Sequence, residues 1–287
     1  MGISISIVAG QDKSASSVDA SGSVQHVINK KERTTFKLGD KQLKNAVKAY
    51  FGKSPSDAYL CSPTPWNDLY KSYRWPEVQV VLVVQSAEIL GITSEPVIVK
   101  TQEFVNRSSR KATFTVSISE SVNNTTSSNW STGGAFSIGQ KFSYGVEFLG
   151  AEGKGETSLS YSRSWGVGGQ ESKSITVGST SGLSVELGPG EAVLAELSAS
   201  RGVMKVRIRY NAYLSGSTAL NYYPKYKGHH FFHLGISGVM SKGGISNSVI
   251  STEEIEVGYY SNSKIELKDK KTKALKASYM LADAPGH

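Results

Sequence analysis

The sequence runs to 287 residues, carries 32 basic against 24 acidic side chains for a formal net charge of +8, and contains a single cysteine. Such a length makes one large or two modest domains with a real core, and charged and apolar fractions of 20% and 38% fit neither disorder nor a helical membrane protein. Lone Cys61 excludes a disulfide scaffold and a Cys-ligated metal cluster, and no apolar run reaches the length of about 18 residues that a spanning helix needs.

At the amino end, residues 1–6 (MGISIS) lack the charged start and long apolar stretch of a secretory signal. Gly2 and Ser6 satisfy the short myristoylation pattern, but the pattern is loose and no second anchor lies beside it. The expectation is a chain that is cytosolic, is secreted or released without a recognisable signal peptide, or stands here in mature form.

Three stretches then differ in texture. Residues 1–98 are mixed and read as a head or receptor-binding region. There Asp40 opens a short helix whose apolar stripe is Leu43, Ala46, Val47, Tyr50 and Phe51, with Gly52 as its stop. Residues 59–75 read as an aromatic loop broken by Pro63 and Pro65 and closed by Pro76, and residues 77–90 as a Val-rich strand. Residues 99–216 are unlike ordinary globular sequence: 30 of residues 101–200 are Ser or Thr. The strands read there, at 112–122, 157–165, 174–187 and 192–214, exceed the usual five or six residues. Residues 217–287 carry an aromatic and His cluster, then strands near 253–260 and 263–267 that pack on the head or on the middle stretch.

The positive charge is spread along the chain. Its only run, 264–276, has six Lys against Glu266 and Asp269 and reads as a solvated tail. Nucleic-acid binders gather such charge beside stacking aromatics or on a recognition helix, so no nucleic-acid partner is expected. A diffuse positive surface suits an anionic membrane or cell surface. No fixed-period repeat marks a solenoid, propeller or trefoil lectin.

Residues 135–167 carry most of the functional argument. Phe136, Ile138, Gln140, Phe142, Tyr144, Val146 and Phe148 alternate with Ser137, Gly139, Lys141, Ser143, Gly145 and Glu147. In the second arm Thr157, Leu159, Tyr161, Arg163 and Trp165 alternate with Glu156, Ser158, Ser160, Ser162 and Ser164. Side chains alternate across a strand, so each arm has one apolar and one small polar face. Pairing about the glycine-rich turn at 149–154 sets Glu147 opposite Glu156, Tyr144 opposite Leu159 and Gln140 opposite Arg163, with both apolar faces on one side. Each arm then offers about nine residues, the length of a tilted transmembrane strand. Apolar-out, polar-in alternation is the pattern of a membrane barrel, and one hairpin cannot close one without leaving backbone groups unpaired in hydrocarbon. Several copies can. The competing reading is an amphipathic hairpin packed on an ordinary sandwich.

The stretch FSYGVEFLGAEGKGETSLSYSRSWG at 142–166 resembles the insertion hairpin of aerolysin-like (epsilon-toxin-like) β-pore-forming toxins. Its flanks match too: the Ser/Thr-rich strand 113–130, the strand 174–185, and Gly188-Pro189-Gly190-Glu191 leading into a long strand through Tyr213. The resemblance covers about residues 100–216, and in size the chain is similar to small members without a lectin domain, such as hydralysin and monalysin. It implies a mainly β fold: an elongated architecture of long twisted antiparallel strands, an amphipathic pre-stem hairpin, and a mixed head with one or two short helices. It also implies a soluble monomer that binds a target-cell membrane through a lipid, glycan or protein receptor and assembles into a homo-oligomeric ring with one hairpin per subunit in the barrel.

On that reading Phe142, Tyr144, Val146, Phe148, Leu159 and Tyr161 meet lipid. Lys141, Ser143, Glu147, Glu156, Ser158, Ser160 and Ser162 line the lumen, and Gln140, Arg163 and Trp165 mark the entry-side interface. Trp66, Tyr70, Tyr73, Trp75, Tyr222, Tyr223 and Tyr226 are receptor-site candidates, because Trp and Tyr suit a membrane interface; packing within the head is the equal alternative. His229 and His233 share a strand face but have no recognisable fourth ligand, so no metal and no cofactor is expected. Walker spacing, a nucleophile elbow and a zinc-protease helix are all missing, so the chain reads as no enzyme. The sequons at Asn106, Asn123, Asn124 and Asn129 are expected to go unused. The rival functions are a non-lytic storage, yolk or defence protein that keeps this fold, and a glycan-binding module.

Overall fold

Stretches that alternate residue by residue can bury one face of a strand and wet the other, and this chain is built mostly from them. The structure, a computed structural model, describes residues 2–131, 141–149 and 155–280. Its strands are β1 (Ile3–Ala9), β2 (Ser17–Val27), β3 (Asp57–Tyr59), β4 (Gln79–Val105), β5 (Ala112–Trp130), β6 (Lys141–Leu149), β7 (Gly155–Ser164), β8 (Gly169–Leu187), β9 (Ala192–Ser215), β10 (Ser217–Tyr226), β11 (His229–Gly235), β12 (Val249–Asp269) and β13 (Leu275–Met280). The helices are short: α1 (Lys30–Thr35), α2 (Asp40–Phe51), α3 (Pro65–Tyr73) and α4 (Ile236–Lys242). The fold is mainly β with long antiparallel strands, as the sequence led us to expect.

One continuous sheet runs β7-β6-β1-β2-β4-β9-β12-β5-β8, with β13 added to β12, and a small sheet β11-β10-β3 lies apart. β2 serves two neighbours in turn, pairing with β1 through Gly22 and with β4 from Ser23 onward. Gly22 turns that corner at φ +100°, where a Cβ would strike the Gly2 carbonyl. The path therefore folds back on itself. Ile3, Ile5 and Ile7 of β1 share a buried core with Met204, Val206 and Ile208 of β9 and with Ile255, Val257 and Tyr259 of β12.

β9 feeds two cores. Val193, Ala195, Leu197 and Ala199 are its buried residues at first; beyond Arg201 the phase shifts by one and Met204, Val206, Ile208 and Tyr210 are buried instead. Val193, Ala195 and Leu197 pack with Val116, Ile118, Val177, Leu187, Ile265 and Leu267 in a second core. That phase shift is why the sequence alternates only nearly, not strictly, over 192–214.

Several local readings need correction. α2 spans the expected residues, but Gly39 is its N-cap and Asp40 its first residue; Gly52 ends it at φ +96°. The aromatic stretch 59–75 is not all loop, because Pro65 sits at the first turn of α3, where its missing N–H costs nothing. The two strands expected at 253–260 and 263–267 are one, β12, with an irregularity between Ser261 and Lys264. The lysine run is no loose tail: it ends β12 and pairs through β13, with Lys268 on Glu196 and Glu266, and Lys270 on Glu103. β1 had no sequence assignment, yet alternating Ile3, Ile5 and Ile7 make it a core strand.

Two of the four sequon asparagines are structural. The Asn106 amide, 1% exposed, donates to the carbonyls of Arg110 and Leu187 at 2.8 Å each, and its Oδ1 accepts from the Ser108 amide at 3.0 Å. Asn124 is fully buried and accepts from the Tyr260 amide at 3.0 Å. Neither has room for a glycan. Asn106→Ala takes the amide donor from the buried Leu187 carbonyl and should cost about 1–3 kcal/mol. Urea unfolding should show it as a lowered midpoint with an unchanged slope.

Candidate functional site

The hairpin suggested by the sequence forms, with β6 and β7 antiparallel, but its register differs from the expected one by two residues. Glu147 faces Ser158, Tyr144 faces Tyr161 and Phe142 faces Arg163, with an irregularity after Phe148. A shift of two keeps every side chain on its face, so amphipathicity survives the change of register. Gln140 lies outside the described residues, and Glu156 is placed only as a position within β7.

The apolar face of the hairpin is turned into the protein. Phe142, Tyr144, Val146 and Phe148 are at most 2% exposed, while Lys141, Ser143, Glu147, Ser158, Ser160 and Ser162 face solvent. Phe142 packs against Trp130 of β5 and Tyr210 of β9, and Phe148 lies near Tyr259 of β12. Tyr144 and Tyr161 stack at 4.7 Å within 2° of parallel. Leu159 and Tyr161 are half-buried around the same core.

Along its edge the hairpin is held by β1, which pairs parallel to β6 from Ser4–Ser143 through Ala9–Phe148. Its other contacts with the sheet beneath are notably polar. Tyr144 donates to Oε1 of Glu253 at 2.9 Å, Tyr210 donates to Oε2 at 2.8 Å, and Trp165 donates to the Ser251 hydroxyl at 3.3 Å. Thr126, Ser128, Ser251 and Glu253 are all buried beneath the hairpin or beside it. Burial pushes Glu253 up to about 7, against the pull of the hydrogen bonds from Tyr210 and Tyr144 and of the Arg163 charge. Burial, and then the Glu253 carboxylate beside it, raises the Tyr210 phenol as well.

Arg163 and Trp165 do not stand at a free boundary in this state. Arg163 pairs with Glu171 of β8 at 3.1 Å and lies 5.2 Å over the Tyr161 ring; Trp165 is 2% exposed. Glu253 and Tyr210 escaped sequence reasoning. The available signal was phase: Ser251 and Glu253 stand in step with Ile255, Val257 and Tyr259, on the buried face of β12.

The aromatic candidates divide. Tyr70 is buried, its hydroxyl donating to the carbonyls of Tyr59 and Ser217, and Tyr222 is buried with its hydroxyl on the Lys53 carbonyl. Tyr226 packs against Phe51 and Phe232. Those three hold the head together. Trp66, Tyr73 and Tyr223 are exposed, at 44%, 52% and 81%. Trp66 sits in a left-handed run with Asn67 and Asp68 and meets Phe231, while Tyr73, Trp75 and His233 stack in series at 4.8 and 4.9 Å. His229 and His233 join no metal-binding cluster among the described residues.

A sheet of long strands with an amphipathic hairpin folded against it defines a β-pore-forming class of architecture. The sequence matches, over residues 24–267, the family described as Clostridium epsilon toxin ETX/Bacillus mosquitocidal toxin MTX2, and the chain belongs to that family of non-enzymatic, pore-forming toxins. U-megalopygitoxin(8)-Mo12 of Megalopyge opercularis is 34% identical over 253 residues, covering 88% of this chain and 87% of its own. U-megalopygitoxin(8)-Mc8 of Megalopyge crispata is 35% identical over 256 residues, covering 89% and 88%. The crystal structure of parasporin-2, a Bacillus thuringiensis toxin that recognizes cancer cells, superposes with a TM-score of 0.67 at 14% identity, covering 91% of this chain and all of that one, and shows the shared fold.

Phe142→Ala removes a fully buried ring packed against the stacked pair Trp130 and Tyr210. It should cost about 3–5 kcal/mol and loosen the hairpin first, since among the described residues β1 alone pairs with its edge. Hydrogen exchange should show β6 and β7 losing protection before β9.

Proposed function

We propose that the chain is a pore-forming cytolysin that is secreted or released and acts on a target-cell membrane. The observation that carries this is the hairpin: a pair of strands about as long as a bilayer core requires, its apolar face stored against the protein's own sheet and its polar face already in water. The same alternation serves a barrel without any change of secondary structure. Once copies gather into a ring, the hairpins leave their docks and pair into a closed barrel, which leaves no backbone edge in lipid. Phe142, Tyr144, Val146, Phe148, Leu159 and Tyr161 then turn to lipid. Lys141, Ser143, Glu147, Glu156, Ser158, Ser160 and Ser162 line the water-filled interior, and Gln140, Arg163 and Trp165 mark the boundary.

Membrane recognition belongs to the head on this reading. Trp66, Tyr73, Trp75 and Tyr223 offer rings at its surface, with Lys71, Arg74, Lys225 and Lys227 close by in sequence. Aromatic rings beside cations suit a headgroup layer or a receptor carried on it. Neither nucleic acid nor a cofactor enters the mechanism. The likeness in size to hydralysin and monalysin stays part of this proposal.

Ser4 and Ser143 are exposed partners on β1 and β6, so Ser4→Cys with Ser143→Cys, in a Cys61→Ser background, ties the hairpin down. Oxidised, this variant should release no dye from liposomes made of target-cell lipids, and reductant should restore release. Unchanged leakage in the oxidised form overturns the pore reading.

A further inference from the structure

Among the buried polar groups of the described core, one carboxylate joins the hairpin to the sheet beneath it. Glu253, 0% exposed, receives Tyr144 from the hairpin on one carboxylate oxygen and Tyr210 from β9 on the other. We propose that Glu253 is a proton-linked latch: protonated, it holds the hairpin docked; ionised, it favours the hairpin's departure. This rests on the reading above that the hairpin leaves its dock.

The groups around the carboxylate decide the sign. From the hairpin, Tyr144, Tyr161 and Arg163 face it, and Tyr210 faces it from β9. β5 contributes the hydroxyls of Ser128 and Thr126, which bring no charge. The one cation, Arg163, is already shared with Glu171 of β8 at 3.1 Å. An ionised Glu253 is thus a buried anion with two phenol donors and the Ser128 hydroxyl, and no guanidinium of its own; burial outweighs all of these. A neutral Glu253 satisfies the same two phenols, donating to one and accepting from the other. Docking therefore selects the neutral acid, and water around an undocked sheet selects the anion.

The linkage follows. Docked, the carboxyl sits at about 7; undocked, it returns toward the ordinary 4.5. The docked form binds the proton more tightly, so docking is strongest below the undocked value. It weakens steadily as pH rises between the two values and changes no further above the docked one. Across that window the undocked fraction should rise on the order of a hundredfold. Mild acid keeps the toxin latent, and neutral pH arms it.

The test uses the soluble chain without membranes. Hydrogen exchange of the β6 amides, corrected for intrinsic exchange rates, is followed from about pH 5 to about pH 8. The wild-type opening equilibrium should rise by roughly two orders of magnitude, while Glu253→Gln, neutral and nearly isosteric, should stay flat at the acid level. Tyr144→Phe removes one donor to the anion and should move the midpoint to higher pH. A flat wild-type profile, or a rise that persists in Glu253→Gln, overturns the latch. So does a Tyr144→Phe midpoint that stays in place, even where Glu253→Gln does not fold. Because none of these readouts needs a pore, failure of the latch is distinct from failure of the tethered variant to behave as a pore former.

Discussion

Everything in this molecule depends on finding an apolar home for one face of one hairpin. Phe142, Tyr144, Val146 and Phe148 together withdraw enough apolar surface from water to be worth several kcal/mol, at roughly 1.5–3 kcal/mol for each large side chain. Water cannot be that home. Within the chain it is the face of β9 and β12; on the reading proposed here it is lipid. Alternation makes the exchange feasible, since a strand presents the same six-atom repeat of backbone and the same face in either place.

The dock is built to bind without gripping. A surface lined entirely by Leu and Ile would hold the hairpin as firmly as any core. Here Thr126, Ser128, Ser251 and Glu253 interrupt the apolar floor, and the hairpin answers with Tyr144 and Trp165. Hydrogen bonds of this kind contribute little net stability, because water offers the same groups comparable partners, but they fix position closely. Specific seating and modest affinity are thereby separated.

The strand pattern was legible because period-two alternation is a direct record of burial, and it stood clear in β5 to β9. β6 and β7 were read with the correct faces and a register off by two, since turn length, not face, sets register and the glycine-rich turn has no fixed geometry in sequence. β1 was missed because seven residues beginning at Ile3 are too few to claim a core strand before their partners are known. Glu253 stood at the start of an expected strand beside Thr252 and Glu254; only the phase of Ile255 and Val257 reveals that it is buried. Tyr70 and Tyr222 were left open between receptor site and packing, since the carbonyls that take their hydroxyls lie far away in the chain. The family likeness seen in the middle third extends over residues 24–267; the small sheet of β3, β10 and β11 draws on two distant segments that carry no local signature.

β1 has a second life. While β6 lies beside it, its outer rim of amides and carbonyls is occupied from Ser4 to Ala9. If β6 departs as proposed, that rim is bared beside the apolar floor that Phe142, Tyr144, Val146 and Phe148 had covered. A solitary subunit that opened early would carry a raw strand edge over a greasy trough, an invitation to indiscriminate sticking. Shoulder to shoulder in a ring, the same edge has a neighbour within reach. On the proposed reading, the amino-terminal strand thus penalises premature opening, because the edge a departing hairpin leaves behind is safe only where a neighbouring subunit stands within reach.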